Sequence, residues 1–444
     1  MEFEMDQQSF DDLGIFGYSS DTYSVFEKYS KTRTVGGRNL LAEMMSQPSN
    51  KLELLCSRRD SIEFFTKSEL KLEITFESCD LILHYLEYGG VLLKDNIIDS
   101  LKTRLKDIIT PSQAYYNIGV GLKRLLPILS HAQEISALLV NSGVKHLYNL
   151  GVKIKDFTAV KDIQFAISLS ESKKLNFDQV ARLDVIVRKK YLAEIHDILQ
   201  ILYELDVYET LSVVSVTDGY CLPTYFEEHV GIKLEINGLY HPAIASPVTT
   251  DISIDQGNNL FFLSGSNMSG KSSFLKSIGL AVYLSHLGFP VPAKELKTTV
   301  FNGLLTTINL PDNVTNGLSH YYSEVMRVKM IAGLLNEKKK LFVLLDELFK
   351  GTNSKDAYEA SLLVLNGFAE IRNSVFIVSS HITELAPKLK QENISLVYLE
   401  HQIHNEKPIF TYKLRKGIAM EGIGMYFINS ENIKSLLEKA KYLI

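Results

Sequence analysis

Apolar positions in the first half of the chain recur at helical spacing, and beyond residue 222 they come in short uninterrupted blocks. Leu52, Leu55, Arg59, Ile62 and Phe65 are three and four residues apart, which predicts a helix with one buried face, and Asn50 looks like its N-cap. From about Ser9 to Tyr148 the chain reads as mainly helical. A short amphipathic stretch covers Asp21–Tyr29. After a Gly36-Gly37 loop, a helix over Arg38–Met45 stops at Pro48. Further helices are expected over Leu70–Leu86, Asn96–Ile109, Ser112–Leu129 with a break near Pro127, and Ile135–Leu147. Gly151–Ser168 is ambiguous. Phe177–Thr210 is one long helical pattern whose stripe of Leu192, Ile195, Leu199, Leu202 and Leu205 suits packing on other helices. The basic cluster Arg188–Lys190 reads as a solvated face, with phosphate contact as the other reading.

The pattern changes at Asp218–Pro223, which places a domain boundary near Leu222 and divides the chain into 1–222 and 223–444. Strands are expected at Leu260–Leu263, Gly303–Thr307, Leu341–Leu345, Val375–Ser379 and Leu396–Leu399. Helices are expected at Ser272–Leu287, Tyr322–Asn336, Ser354–Ile371 and Thr383–Leu389. This alternation predicts an α/β domain with a largely parallel sheet. Ser395–Glu400 and Phe410–Arg415 flank a polar turn as a hairpin would, and a last amphipathic helix carries Ile433, Leu436, Leu437 and Ala440.

Composition changes this picture little. The 444 residues are 45% hydrophobic and 22% charged, with a net charge of −5, which does not describe a protein coated in basic patches. Cys56, Cys79 and Cys221 are far apart and form no C-x-x-C pair, so free thiols in a reducing cytoplasm are expected, without a zinc site or disulfide framework. The acidic N-terminus has no apolar core of a signal peptide, and no apolar run is long enough to span a membrane.

The candidate chemistry lies in the second half. Leu260–Ser273 reads as a strand, a loop and the start of a helix. Gly265, Gly270, Lys271 and Ser272 fit the phosphate-cradling pattern G-x-x-x-x-G-K-[ST]. In such a loop backbone N–H groups wrap a phosphate, the lysine adds charge and the serine hydroxyl ligates Mg²⁺. Asp346 and Glu347 end the apolar run Leu341–Leu345, at the carboxyl end of a buried strand where ligands of open α/β sheets bind. Asp346 suits Mg²⁺, and Glu347 suits a general base for an attacking water. Val375–His381 is a third strand ending in polar residues. By itself His381 is a strand-end histidine; beside the other elements it reads as a sensor of the γ-phosphate or a partner of the attacking water. Ser319 lies in the polar stretch GLSHYYSE, which a helix cap explains equally well when read alone. Lys350–Asp356 is a loop placed where it can reach a neighbouring subunit.

In this order and at these distances, the five elements resemble the ATPase domain of the DNA mismatch repair protein MutS family. GSNMSGKSS is similar to the family's G-P-N-M-G-G-K-S-T, and the Asn267-Met268 pair is its distinctive part. Pro290–Ala293 resembles the V-P-A segment, LLDELFKGTNSKDA resembles L-x-D-E-x-G-R-G-T-S-T-x-D-G, and SSHITEL resembles T-H-x-x-E-L. In the first half, KTRTVGGRNLLAEMMSQP and LAEIHDILQILYELDVYETLS are similar to the family's core and lever segments. The resemblance implies an ABC-type P-loop NTPase domain preceded by a mainly α-helical core and lever domain, and a homodimer with composite ATP sites. It implies that Gly265, Ser266, Asn267, Met268, Ser269, Gly270, Lys271, Ser272 and Ser273 hold ATP. It further implies that Ser272 and Asp346 hold Mg²⁺, that Lys271, Glu347 and His381 serve hydrolysis, and that Ser319 acts on the partner's nucleotide. DNA is the expected partner, in mismatch repair or recombination. The sequence departs from the pattern at Leu318, where the family has Arg, and at Phe349-Lys350, where it has Gly-Arg. The expected core begins near residue 10, without mismatch-recognition or connector domains, and about fifty residues between Leu139 and Arg188 leave little room for a DNA clamp. The alternative is therefore a MutS-derived, ATP-switched interaction module that does not bind DNA.

Overall fold

The computed structural model describes residues 2–17, 23–89, 113–227, 229–266, 268–308, 320–389, 391–404, 407–419, 426 and 430–440. The helix expected over Asn96–Ile109 lies outside them. In chain order the first helices are α1 (Gln7–Asp12), α2 (Val25–Tyr29), α3 (Val35–Ser46), α4 (Leu52–Lys67), α5 (Phe76–Leu86), α6 (Gln113–Val140), α7 (Lys145–Thr158), α8 (Lys161–Ile167), α9 (Phe177–Val185) and α10 (Leu192–Asp218). The chain divides into two compact units. One comprises residues 27–46 and 57–216, the other 1–26, 47–56 and 217–444. This departs from a single cut at residue 222, because two N-terminal pieces join the C-terminal unit.

The helical unit is built around α6, which packs on α5, α7, α8 and α9. Proline inside a helix removes a hydrogen bond and costs about 3 kcal/mol. Even so, α6 runs through Pro127 instead of breaking there. Leu125, Leu126, Ile128 and Leu129 flank it and are all buried, so continued packing outweighs the local cost. Gly121 lets α5 approach closely: a Cβ there would stand 2.2 Å from the Cβ of Tyr85. The ambiguous stretch Gly151–Ser168 is helical, divided between α7 and α8. The long pattern over Phe177–Thr210 is interrupted by one π-helical turn, Ile186–Lys190. That turn corrects the reading of its basic cluster. The Arg188 side chain is largely covered and grips Asp184 through two bonds of 2.6 Å, whereas Lys190 pairs with Asp162 at the surface. At the start of α3, the Thr34 hydroxyl accepts from Gly37 N and donates to Asp206 of α10, which also accepts from the Arg33 and Thr34 amides.

The other unit holds two sheets. The strands are β1 (Thr224–Tyr225), β2 (Lys233–Leu239), β3 (Thr250–Asp255), β4 (Leu260–Ser264), β5 (Glu295–Thr298), β6 (Gly303–Thr307), β7 (Leu341–Asp346), β8 (Val375–Ser380), β9 (Ile394–His404) and β10 (Lys407–Lys416). Its later helices are α11 (Lys271–Ser285), α12 (His320–Asn336), α13 (Ser354–Glu370) and α14 (Ile433–Ala440). The larger sheet has the order β10-β9-β4-β8-β7-β6, parallel except for the β9–β10 hairpin. Strands buried on both faces need apolar residues at every position, and β4, β7 and β8 are buried almost throughout. A second sheet, β1-β5-β2-β3, carries the strand-like stretch around Gly231–Pro242.

The chain turns helical at Gln7, close to the start expected at about Ser9. The residues just before it line the open edge of the larger sheet: Glu4 bridges Gly303 of β6 in parallel, with Leu304 N donating to Glu4 O at 2.9 Å. Only α1 is helical there, a length at which apolar periodicity carries little signal. Behind α11 lies the fully buried His286. Its Nε2 accepts from Phe301 N at 2.9 Å, so its Nδ1–H donates to Val282 O at 2.7 Å. Burial lowers its pKa to about 4. Between the unfolded value of about 6.5 and that folded value, the unfolded chain binds more protons, so stability falls as pH falls. The expected loss from pH 7 to pH 4 attributable to this group is about 3 kcal/mol. Urea unfolding of wild type and His286→Gln across that range checks it, the variant giving the flatter profile.

Candidate active site

The strand register assembles the site. Ser264 of β4 is level with Ser380 of β8, and Ser379 of β8 is level with Asp346 of β7. The carboxyl ends of three parallel strands therefore open at one height, where ligands of α/β sheets bind. From β4 the chain turns into α11 through Gly270, whose φ of +94° is suited to glycine. The first amides of a helix have no intrahelical acceptor, and the helix dipole favours an anion beside them. Met268, with φ +68°, is exposed, and with Ser269, Gly270, Lys271, Ser272 and Ser273 it lines a cavity of about 500 Å³. Asn267 and Ser319 lie outside the described residues.

Lys271 is buried. Its Nζ donates to Gly265 O at 2.9 Å and Ser266 O at 3.2 Å, which folds the ammonium against its own loop. Burial lowers its pKa, opposed by the nearby carboxylates of Glu347 and Asp346. Two further atoms bear on what the loop holds: Ser266 Oγ and Ser269 Oγ are buried without a hydrogen-bond partner. An unsatisfied buried hydroxyl costs about 1–3 kcal/mol. An anionic oxygen in the loop suits both.

Asp346 sits between two hydroxyls. Ser272 Oγ donates to its Oδ2 at 2.5 Å, and Ser379 Oγ donates to its Oδ1. A serine and a carboxylate converging from two elements give an all-oxygen donor set, which suits Mg²⁺. Next along the chain, Glu347 adopts φ +55° and Phe349 φ +60°, a left-handed backbone that costs non-glycine residues about 1–2 kcal/mol. The Glu347 amide is held by Ser379 O and Oγ at 3.1 and 3.2 Å. This bend turns the Glu347 carboxylate toward His381, whose Nε2 donates to Oε1 at 2.5 Å, and Lys350 Nζ stands 3.8 Å from Oε2. The hydrogen bond from His381 lowers the pKa of Glu347; burial opposes it, and the charges of His381, Lys350 and Lys271 add to the lowering. His381 thus meets the glutamate directly.

Several lining residues carried no recognisable sequence signal. Tyr240, His241 and Val248 form one wall of the cavity, and Leu399 and Tyr412 of the β9–β10 hairpin form another. Tyr412, with φ +57°, brings its ring to 3.1 Å from where a Cβ on Gly270 would stand. Burial, with Lys276 nearby, lowers the pKa of His241 to about 4, so this wall is uncharged at neutral pH. Ser379 was legible only as one of two serines at a strand end. The Lys350–Asp356 loop has local anchors at both ends: Asn353 caps α13 by accepting from Asp356 N at 3.0 Å, and Gly351 N donates to Glu324 at 3.4 Å.

Residues 261–443 match the family model described as MutS domain V. The chain is 27% identical over 365 residues to the DNA mismatch repair protein MSH3 of Candida glabrata, a match covering 77% of this chain and 34% of that protein. It is 29% identical over 248 residues to the DNA mismatch repair protein MutS of Anaplasma phagocytophilum, covering 54% and 29%. With the MutS protein of Thermus thermophilus the identity is 28% over 264 residues, covering 58% and 31%. The chain spans about a third of the length of the curated relatives it matches.

Proposed function

This chain is a MutS-family protein, and on that premise we propose that it binds and hydrolyses ATP and uses the nucleotide to switch a DNA-binding dimer. The observation that carries the reading is the convergence, at one end of β4, β7 and β8, of a buried Lys271, the Ser272–Asp346 pair and the Glu347–His381 pair. This is the arrangement a P-loop NTPase needs. The loop from Gly265 to Ser273 holds the phosphates, with Lys271 released from its two carbonyls to meet them. Ser272 and Asp346 would hold Mg²⁺, which would supply positive charge against the phosphate oxygens. Glu347 accepts a proton from the attacking water, with His381 fixing which carboxylate oxygen faces it. Tyr412 and the Tyr240–Val248 wall give the adenine ring an apolar and aromatic seat. Asn267 adds to the phosphate cradle, and Ser319 completes the site of a partner subunit in a homodimer.

Hydrolysis of ATP with and without Mg²⁺ tests the site. Lys271→Ala is expected to weaken ATP binding about 10- to 100-fold, the loss of one charge-assisted partner. An unchanged affinity would move the phosphates elsewhere. Duplex, branched and mismatched DNA titrated at two salt concentrations, with molar mass measured alongside, tests the switch. Binding that weakens steeply with salt supports phosphate contact. Absence of binding in every nucleotide state favours an interaction module that works without DNA. Among the described residues no helix is long and apolar enough to cross a membrane.

A further inference from the structure

The catalytic loop is held from one side by α12. Tyr321, Glu324 and Arg327 follow one another at intervals of three and share a face of that helix. The Tyr321 ring meets Phe349 edge-on at 5.8 Å, and Glu324 accepts from Gly351 N at 3.4 Å. The first falls on the left-handed Phe349 and the second two residues beyond it, both in the loop that follows Glu347. One turn along, Arg327 is buried and engages the N-terminal segment. It makes a forked ion pair with Asp6, donating also to Thr306 O at 2.6 Å, Thr307 Oγ1 at 3.1 Å and Ser9 Oγ at 3.4 Å. The Asp6 carboxylate caps α1 as well, accepting from Ser9 N at 3.1 Å. Ser9 and Asp12 then hold the end of β6, accepting from Thr306 N, Thr306 Oγ1 and Ile308 N at 2.7 to 2.9 Å.

We propose that residues 6–12 are a positioning element of the ATP site: Asp6 fixes Arg327, Arg327 sets α12, and α12 holds the Phe349–Gly351 bend that aims Glu347. The proposal rests on the ATPase reading and goes beyond it, because it assigns a role in turnover to a segment whose hydrogen bonds and ion pairs, among the described residues, run to Arg327 and β6 and not to the phosphate loop. A salt bridge serving stability alone would leave kcat intact. A positioning pair shifts the angle of the base and so acts on kcat with little effect on KM. It also explains why the arginine is needed as a fork: one guanidinium ties the N-terminal carboxylate, the β6 carbonyl and the Thr307 hydroxyl into one joint.

The test is steady-state hydrolysis by the full chain. Asp6→Asn keeps an oxygen for the cap and removes the charge; Arg327→Lys keeps the charge and removes the fork. Each is expected to lower kcat about 5- to 20-fold with KM for ATP changed less than about two-fold. Lys339→Ala is the control. It breaks the pair of Lys339 with Glu4 (2.7 Å) just before that segment, on no path to the bend, and is expected to keep kcat while lowering Tm slightly. If Asp6→Asn and Arg327→Lys lower Tm but keep wild-type kcat, or if Lys339→Ala lowers kcat equally, the positioning role is wrong. Should Asp6→Asn not fold, Arg327→Lys and the control decide alone. A wild-type chain that hydrolyses no ATP overturns the ATPase reading itself, an outcome distinct from these.

Discussion

Glu347→Gln is expected to lower ATP turnover about 100- to 10,000-fold, the range for loss of a general base, while ATP affinity changes less than about three-fold. Gln keeps the shape and the contact with His381 but cannot take the proton. Affinity survives because the proposed binding groups, the loop, Lys271, Ser272 and Asp346, precede it. Two pH effects sharpen the test. His381 holds the glutamate below its ordinary carboxylate value, so the ionised form is favoured by the fold. Its stabilising contribution is present above about pH 4.5 and is lost as pH falls through the lower folded value; turnover dependent on this base is therefore flat through neutrality. Glu347 also supports the charge on Lys271, whose pKa burial lowers. Removing the carboxylate lowers it further, so the alkaline limit of ATP binding is expected to move to lower pH in the variant. Retention of more than about a tenth of the wild-type rate would assign the proton to another group.

How much of this was legible in the sequence depends on the range of the interaction concerned. Strands Leu260–Ser264, Gly303–Thr307, Leu341–Asp346 and Val375–Ser380 lie within a residue of where their apolar runs place them, because strands buried on both faces leave no ambiguity of period. The phosphate loop and Asp346-Glu347 were legible because the chemistry fixes residue types at fixed local spacing. What spacing cannot express is which ends meet. Ser379 lies beside Asp346 through parallel pairing across 33 residues, and Tyr412 reaches Gly270 from a hairpin some 140 residues away. Pro127 misled for a related reason. Propensity assigns it a break, but the apolar residues on both sides are buried against neighbouring helices, and tertiary packing outweighs a single local cost. The N-terminal segment was the least legible part, since an edge bridge at one residue and a helix of six leave no periodicity to read.

Arg188→Ala is expected to be the most destabilising single substitution in the helical unit, by about 3–5 kcal/mol in urea unfolding. Its cluster of three basic residues looks like a solvated face, yet its side chain is only 6% exposed and that of Asp184 is fully buried. The pair is two-pronged, at 2.6 Å on both prongs, and a third bond runs from Arg188 to Tyr88 O at 2.8 Å. Asp184 also accepts from Tyr85 OH at 3.0 Å, and burial followed by that carboxylate drives the Tyr85 phenol far up. Alanine removes the guanidinium and leaves a carboxylate deep in an apolar helix junction. The cost is the desolvation of that charge, larger than the net worth of the pair. Removing both charges, as Asp184→Leu with Arg188→Met, is expected to recover most of the loss, and adding Tyr85→Phe to recover about 1–3 kcal/mol more by removing the hydroxyl left without its acceptor. A π-helical turn at Ile186–Lys190 then becomes the point to watch. If the charge pair holds that turn open, the recovered variants lose it and α9 runs into α10 without the extra residue. A double variant as unstable as the single one would show that the ion pair adds net stability and is not merely costly to break.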